Sequence, residues 1–364
     1  MLGSGDSPPG ISGPQRQLRV LADIFEDAAR SAAGYRSAVE FAERRREQEL
    51  GDLLADPRQR NSASAPVVME ADLRYADLVT RATADHRRDV DQLAQELRDL
   101  TPALLAALSP WDAPVWQAGR YGEERRLPSP GLRVGELSLP EAPDLLIPLV
   151  IGVPLQRPLW LLAADDGVDP SVGSHSGGSP AGGAVAMARA LIYRLLAADS
   201  TLRLQVCDAG GALVNALGAL AAPTAGVLAG PVGRTAEQRS EILMMLAERV
   251  DLMEMARSAG ALDALPMLDN TALLVLTEVG TGFEPDDYSA LWYLIKHGPR
   301  SGVQILLLGD PTDGPNMLPA RASLILQAGA AAGISDGWVG LPWTFCADYG
   351  PPDTASIRFG TDED

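Results

Sequence analysis

Residues 173–186 read GSHSGGSPAGGAVA and run straight into the apolar stretch MARALIYRLLAA. A glycine-rich loop feeding a helix is where nucleotide-binding proteins hold phosphate, because the first N–H groups of the helix are unpaired and its dipole favours an anion. Set against G-x-x-x-x-G-K-[ST], the stretch supplies Gly177, four intervening residues and Gly182, followed by Gly183 and Ala184. The lysine that would reach the β- and γ-phosphates and the hydroxyl that would bind Mg²⁺ are both replaced. The segment is either a phosphate loop stripped of its chemistry or a turn leading into a helix.

The segments around it set the fold class. LRLQVCDA (202–209) is an apolar strand ending in Asp208, and ASLILQAG (322–329) is another. ALLVLTEVG (272–280) and VQILLLGDP (303–311) are continuous apolar runs, the pattern of parallel strands covered on both faces. EQRSEILMMLAERVDLMEMARSAG (237–260), before them, reads as an amphipathic helix closed by glycine, and the helix DDYSALWYLIKHG (286–298) lies between them. GLRVGELSL (131–139), LLIPLVIGV (145–153) and PLWLLAA (158–164) read as strands, and GWVGLPWTFCADYG and SIRFG as short closing β segments. Strand and helix alternate over 145–330, which predicts an α/β domain with a mainly parallel sheet.

A phosphate loop needs a second half, an apolar strand ending in Asp-Glu. The aspartate holds Mg²⁺ through water and the glutamate activates the attacking water. Here the strand Leu273, Leu274, Val275, Leu276 ends in Thr277-Glu278, so the glutamate is present and the magnesium aspartate is not. Glu278 reads as a vestige of the catalytic glutamate or as a solvated residue at a strand's end. Lys296 is the one lysine of the chain, and it falls on a helix beyond this strand, the wrong element to serve the loop.

The amino-terminal part is different in kind. Residues 1–14 are rich in Gly, Pro and Ser and read as a disordered tail. Leu18, Leu21, Phe25, Ala28, Ala32, Tyr35, Val39 and Ala42 then step by threes and fours along a heptad seam. DPRQRNSASAP (56–66) interrupts it, and a second helix is expected from about Val68 to Leu108. The predicted organisation is a tail (1–14), a helical hairpin or coiled-coil arm (15–110), and an α/β domain with carboxy-terminal β segments (111–364). The arm serves oligomerisation or partner docking, or it packs on a core of its own. His86, on the seam, reads as a satisfied histidine, and Trp111 and Trp116 as a hinge packing on the next domain.

Composition removes other classes. The formal net charge is −18, with no basic cluster larger than RRR at 44–46, so direct binding to nucleic acid is not expected. No apolar run reaches the length of a membrane span, and the amino terminus lacks a signal-peptide pattern; a cytoplasmic protein is expected. Cys207 and Cys346 read as buried free thiols. The glycine loop has no G-x-S-x-G elbow, since His175 and Pro180 stand at the centres of GSHSG and GSPAG. Three histidines and two cysteines, widely spaced, make no metal pattern. Asp165–Asp166 and Asp286–Asp287 read as turn and helix-cap residues.

Taken in order, these pieces resemble the RecA-like motor core of the FtsK/SpoIIIE (HerA–FtsK) family. PAGGAVAMARALIYRLL stands where that family has its Walker A loop and first helix, and LQVCDA where it has a strand ending in Asp-Pro. LLVLTEVGTGF, a helix and HGPRSGVQILLLGDP resemble the Walker B strand, helix and sensor strand. WTFCADYGPP is similar to the end of the degenerate motor domain in multi-domain actinobacterial members, which place a helical coiled-coil region first, a degenerate motor second and an intact one third. The resemblance implies a RecA-like, mainly parallel α/β sheet of P-loop NTPase type behind an amino-terminal helical hairpin. It implies a degenerate nucleotide site at Gly177, Gly182, Gly183, Ala184 and Thr277, with Glu278 vestigial and Arg300 placed as an arginine finger or as a surface residue. The function implied is a pseudo-ATPase without cofactor or metal, working as a homo-oligomer or beside an intact FtsK/HerA-type ATPase. The alternatives are an active ATP- and Mg²⁺-dependent DNA translocase with an atypical loop, and a protein-interaction module that never meets nucleotide.

Overall fold

A computed structural model describes residues 13–55, 64–116, 128–162, 180–222, 225–261, 270–309, 323–327, 332–335 and 342–350. Helices α1 (Gly13–Ala55) and α2 (Ser64–Leu100) come first. Ser31 meets His86 and Arg46 meets Asp72, a descending register that makes the two helices an antiparallel hairpin. His86 is buried, with Nδ1 2.9 Å from the Ser31 hydroxyl and its ring stacked on Tyr35. The second helix ends eight residues before the expected Leu108, because Pro102 has no N–H with which to continue the helix ladder. A 3₁₀ turn (Thr101–Ala103) follows, and Leu104 and Leu108 drop into a small core with Leu21.

Among the described residues nine strands form two sheets. In the first, β3 (Leu159–Leu162), β4 (Arg203–Cys207), β5 (Ala272–Leu276), β6 (Val303–Leu308) and β7 (Leu324–Gln327) pair in parallel in the order β4-β5-β6-β3-β7. The inner strands β5 and β6 are buried throughout and mainly apolar because both faces are covered. Leu273 and Val275 of β5 point to the side of α3 (Pro180–Ala198), with Met187, Leu191 and Leu195. Ala272, Leu274 and Leu276 point to the other side, towards α5 (Ala236–Ala259) and α6 (Pro285–His297). The α/β class and the helical region before it are as the sequence led one to expect. No helix among the described residues is long and apolar enough to cross a membrane.

The second sheet corrects part of that expectation. β1 (Gly131–Leu139) and β2 (Ala142–Gly152) belong to an antiparallel sheet of order β2-β1-β9-β8, where β8 is Ala332–Ser335 and β9 is Pro342–Ala347. The run 145–153 therefore does not start the parallel alternation. Only Pro140 and Glu141 separate β1 from β2, and a two-residue connection can join only antiparallel neighbours. At Gly135, beside a shift in register, a Cβ would lie 2.3 Å from the carbonyl of Cys346, so no larger residue fits. The expected closing strand SIRFG lies outside the described residues.

Strand alternation also separates the two cysteines. Cys207 is buried between β4 and α5, and burial pushes its thiol up to about 12. Phe345 points inwards from β9, so Cys346 points out and is exposed, contrary to the expectation that both are buried. A thiol-specific disulfide reagent is expected to titrate about one thiol per folded chain and the second only after unfolding, since the thiolate is the nucleophile. Two fast thiols in native buffer would contradict this placement.

The segment that follows α2 is fastened to the α/β part at a buried cation. Arg194, in the middle of α3, is fully buried and pairs with Asp348 at 2.5 Å. It donates to the Ser109 carbonyl at 2.6 Å, and its guanidinium lies 4.2 Å from the Trp111 ring and 5.6 Å from Trp116. The Trp111 indole N–H donates to the same Asp348. The two tryptophans thus pack on the next element as the sequence suggested. Phe25 of α1 stacks on Trp343 of β9, with centroids 4.7 Å apart.

Candidate functional site

Strand order locates the site. From β3 the chain proceeds through α3 to β4 at one edge of the sheet, whereas β6 leads to β7, beyond β3 at the other edge. Neighbouring strands whose onward connections diverge leave a crevice at their carboxyl ends, where ligands of open α/β sheets bind. This crevice lies between the ends of β3 and β6, beside the start of α3. Gly309 follows β6 with φ of 124°, a conformation that excludes side-chain-bearing residues. Its carbonyl accepts from the buried Trp160 indole at 2.8 Å, which ties the ends of the two strands together.

The predicted residues fall into two groups. Gly182, Gly183 and Ala184 lie in the first turn of α3, at the crevice edge of the sheet. Pro180 opens that helix and has no N–H, so the first-turn donors left free of the helix ladder are those of Ala181 and Gly182. Ala184 is buried, its methyl packed in the core on the α3 side. Thr277 and Glu278 follow β5 at the same edge. Gly177 and His175 lie outside the described residues, as do Asp165 and Asp166.

Arg300 stands elsewhere. It sits in a 3₁₀ turn (Gly298–Ser301) before β6, and therefore at the amino-terminal edge of the sheet, a strand's length away from Glu278. Its carbonyl accepts from Arg257 at 2.6 Å. Lys296, in the last turn of α6, is at that far edge too. The fold does not bring either cation to the start of α3 in the same chain.

At the crevice edge the groups that remain are turned towards one another. The Thr277 hydroxyl lies 3.2 Å from Asp208 Oδ1 and 3.3 Å from the Cys207 carbonyl. Asp208 is buried, and its other oxygen accepts from the Val214 N–H at 2.8 Å. Glu278 is exposed beside Gly210. A magnesium triphosphate needs an anionic ligand at the end of β5 and a hydroxyl at the start of α3. The residues here provide a threonine bonded to its own neighbour and a buried methyl, so they do not fit that group. No three His, Cys, Asp or Glu side chains among the described residues are grouped as a metal site requires.

Two features of this region are not visible in the sequence. The Thr277–Asp208 bond joins residues from different strands, and strand order alone makes them neighbours. The loop after Glu278 is held by Arg239, which donates to the Thr281 and Gly282 carbonyls and to Asp287 at 3.0 Å while lying over the Phe283 ring. Asp287 is a cap residue, as read: it accepts from the Glu284 N–H at 3.1 Å, in a capping box at the start of α6. Its burial and its pairing with Arg239 come from α5, on the far side of the loop.

No family model matches the chain, and a search of curated proteins finds no match. Among solved structures the chain is similar to EssC (ATPases 2 and 3) from Geobacillus thermodenitrificans, with a TM-score of 0.43 and 12% identity over 65% of this chain and 46% of that one. It is also similar to EccC (ATPases 2 and 3) of Thermomonospora curvata in complex with a signal sequence peptide, with a TM-score of 0.38 and 11% identity over 71% of this chain and 48% of that one. The chain thus spans about half the length of each of these ATPase structures, and both likenesses are distant.

Proposed function

We propose that the chain is a pseudo-ATPase of FtsK/HerA type, a structural or regulatory subunit that works beside an intact motor and does not hydrolyse nucleotide itself. The observation that carries this reading is the end of β5. Thr277 occupies the metal-ligand position and spends its hydroxyl on Asp208, while Ala184, at the other metal-ligand position, is packed into the core. Electrostatic stabilisation of the transferring phosphoryl group is the main catalytic term in this chemistry, and neither Lys296 nor Arg300 lies at the crevice edge to supply it. The acidic surface, with a net charge of −18, supports a role through protein contacts and not through DNA.

The test is a coupled ATPase assay with a nucleotide titration. Turnover is expected to stay at background, and ATP affinity to be no tighter than about millimolar, the level that a few backbone donors support. Mg²⁺-dependent hydrolysis by the unmodified chain, abolished in Glu278→Gln, would overturn the proposal.

A further inference from the structure

Helix α5 departs from its sequence reading. It spans Ala236–Ala259 and is closed by Gly260 in the left-handed region, as expected, but it is apolar on two faces. Ile242, Leu243, Leu246 and Val250 are buried against the sheet and α6. On the opposite side, Met244 is 67% exposed, Met255 60%, Met245 45% and Leu252 39%. Successive steps of one, seven and three residues keep these four side chains within an arc of about 100° around the helix. The outer face of a surface helix is ordinarily polar, and three methionines there form a deformable apolar surface of the kind used to bind varied partners.

The charges on this stripe have one sign. Glu237, Glu241, Glu248 and Asp251 are exposed among the apolar side chains. The three basic residues of the helix all turn to the other side: Arg239 to Asp287, Arg249 to the Asn270 carbonyl and Arg257 to the Arg300 carbonyl. The Tyr293 hydroxyl donates to Asp251, marking where α6 borders the stripe. Nothing among the described residues covers it.

We propose that the outer face of α5 is a docking surface for a basic amphipathic helix of a partner polypeptide. Leucine-like side chains of such a helix would lie on Met244, Met245, Leu252 and Met255, and its lysines or arginines would meet Glu241 and Glu248. Charge complementarity selects this occupant. A second copy of the chain would bring a net charge of −18 and a single lysine. The arginine run of the arm, Arg44, Arg45 and Arg46, is already paired with Glu40, Glu49 and Asp72. The surface is separate from the crevice, so it does not depend on whether nucleotide binds.

The test uses a labelled synthetic helix with leucine on one face and lysine on the other, and a control in which glutamate replaces lysine. Fluorescence anisotropy with the full chain is expected to show at least about tenfold preference for the lysine peptide, weakening as salt screens the pairs. Met244→Gln with Met255→Gln removes two apolar contacts at exposed sites and should weaken binding about tenfold or more. Glu241→Gln with Glu248→Gln should weaken it roughly threefold and flatten the salt dependence. Circular dichroism checks that the variants keep the fold. Absence of binding, equal binding of the glutamate peptide, or unchanged binding to the methionine variant would each overturn the proposal.

Discussion

Replacing Asp348 with alanine is expected to lower the unfolding free energy by about 3–5 kcal/mol, the cost of breaking a buried ion pair by removing one partner. Arg194 has no exposure to solvent, and Asp348 accepts from it at 2.5 Å. The carbonyls of Ala106, Ala107 and Ser109 and the faces of Trp111 and Trp116 would remain around the guanidinium. They carry only partial charge and cannot replace a carboxylate. Arg194→Met should cost less than Asp348→Ala. It removes the buried charge together with its need for a partner, and Asp348 keeps Arg133, 3.7 Å away, and the Trp111 indole. Denaturant titrations of both variants give the ranking. An Asp348→Ala loss below about 1 kcal/mol, the level of a surface pair, would show that the cation is not held as described.

The second large effect is expected at Asp287, where alanine should cost about 2–4 kcal/mol by stranding Arg239 and the hydroxyl of Ser240. The carboxylate accepts from Ser240 at 2.5 Å, from Arg239 at 3.0 Å and from the Glu284 N–H at 3.1 Å. Burial alone would raise its pKa. The hydrogen bonds from Ser240 and the Glu284 N–H, and the bond and charge of Arg239, outweigh burial and hold it below the ordinary carboxylate range. A carboxylate whose pKa is depressed on folding stabilises the fold above its unfolded value, and that stability is lost as pH falls through the folded value. Stability should therefore decline below about pH 4, where the unfolded carboxylate starts to take up protons. Asp287→Asn should show a shallower decline over the same window. Unfolding curves collected from neutral to acid pH measure this, and parallel declines for the two proteins would contradict the role given to Asp287.

The parallel core was legible in the sequence because burial on both faces leaves a continuous apolar signature, as in Leu273–Leu276 and Val303–Leu308. Local punctuation that fixes the rest was present but outweighed by periodicity. Pro102 ends α2 although the leucine seam continues past it, and the two residues between β1 and β2 dictate a hairpin although the run 145–153 has the look of a parallel strand. The outer stripe of α5 was missed because its exposed methionines and its buried leucines both count as apolar in a one-dimensional reading. At the crevice, that Gly183, Ala184 and Thr277 stand where a phosphate site needs lysine, hydroxyl and aspartate could be read position by position. The pairs Thr277–Asp208, Arg239–Asp287 and Arg194–Asp348 could not, since each joins elements that only the folded chain makes adjacent.

The antiparallel sheet also imposes an order on folding. β1 and β9 pair from Gly135 with Ala347 to Ser138 with Thr344, although every strand of the parallel core lies between them along the chain. Closing so long a loop before the core exists would cost chain entropy with little contact energy in return, and such distant pairings slow folding. Once β3 to β7 have assembled, the two ends are held near one another and the ladder can zip at small further cost. The β1–β9 pairing thus acts as a late clasp, and damage at Gly135 or Phe345 should reach the rate at which the finished molecule reopens before it reaches the formation of the core.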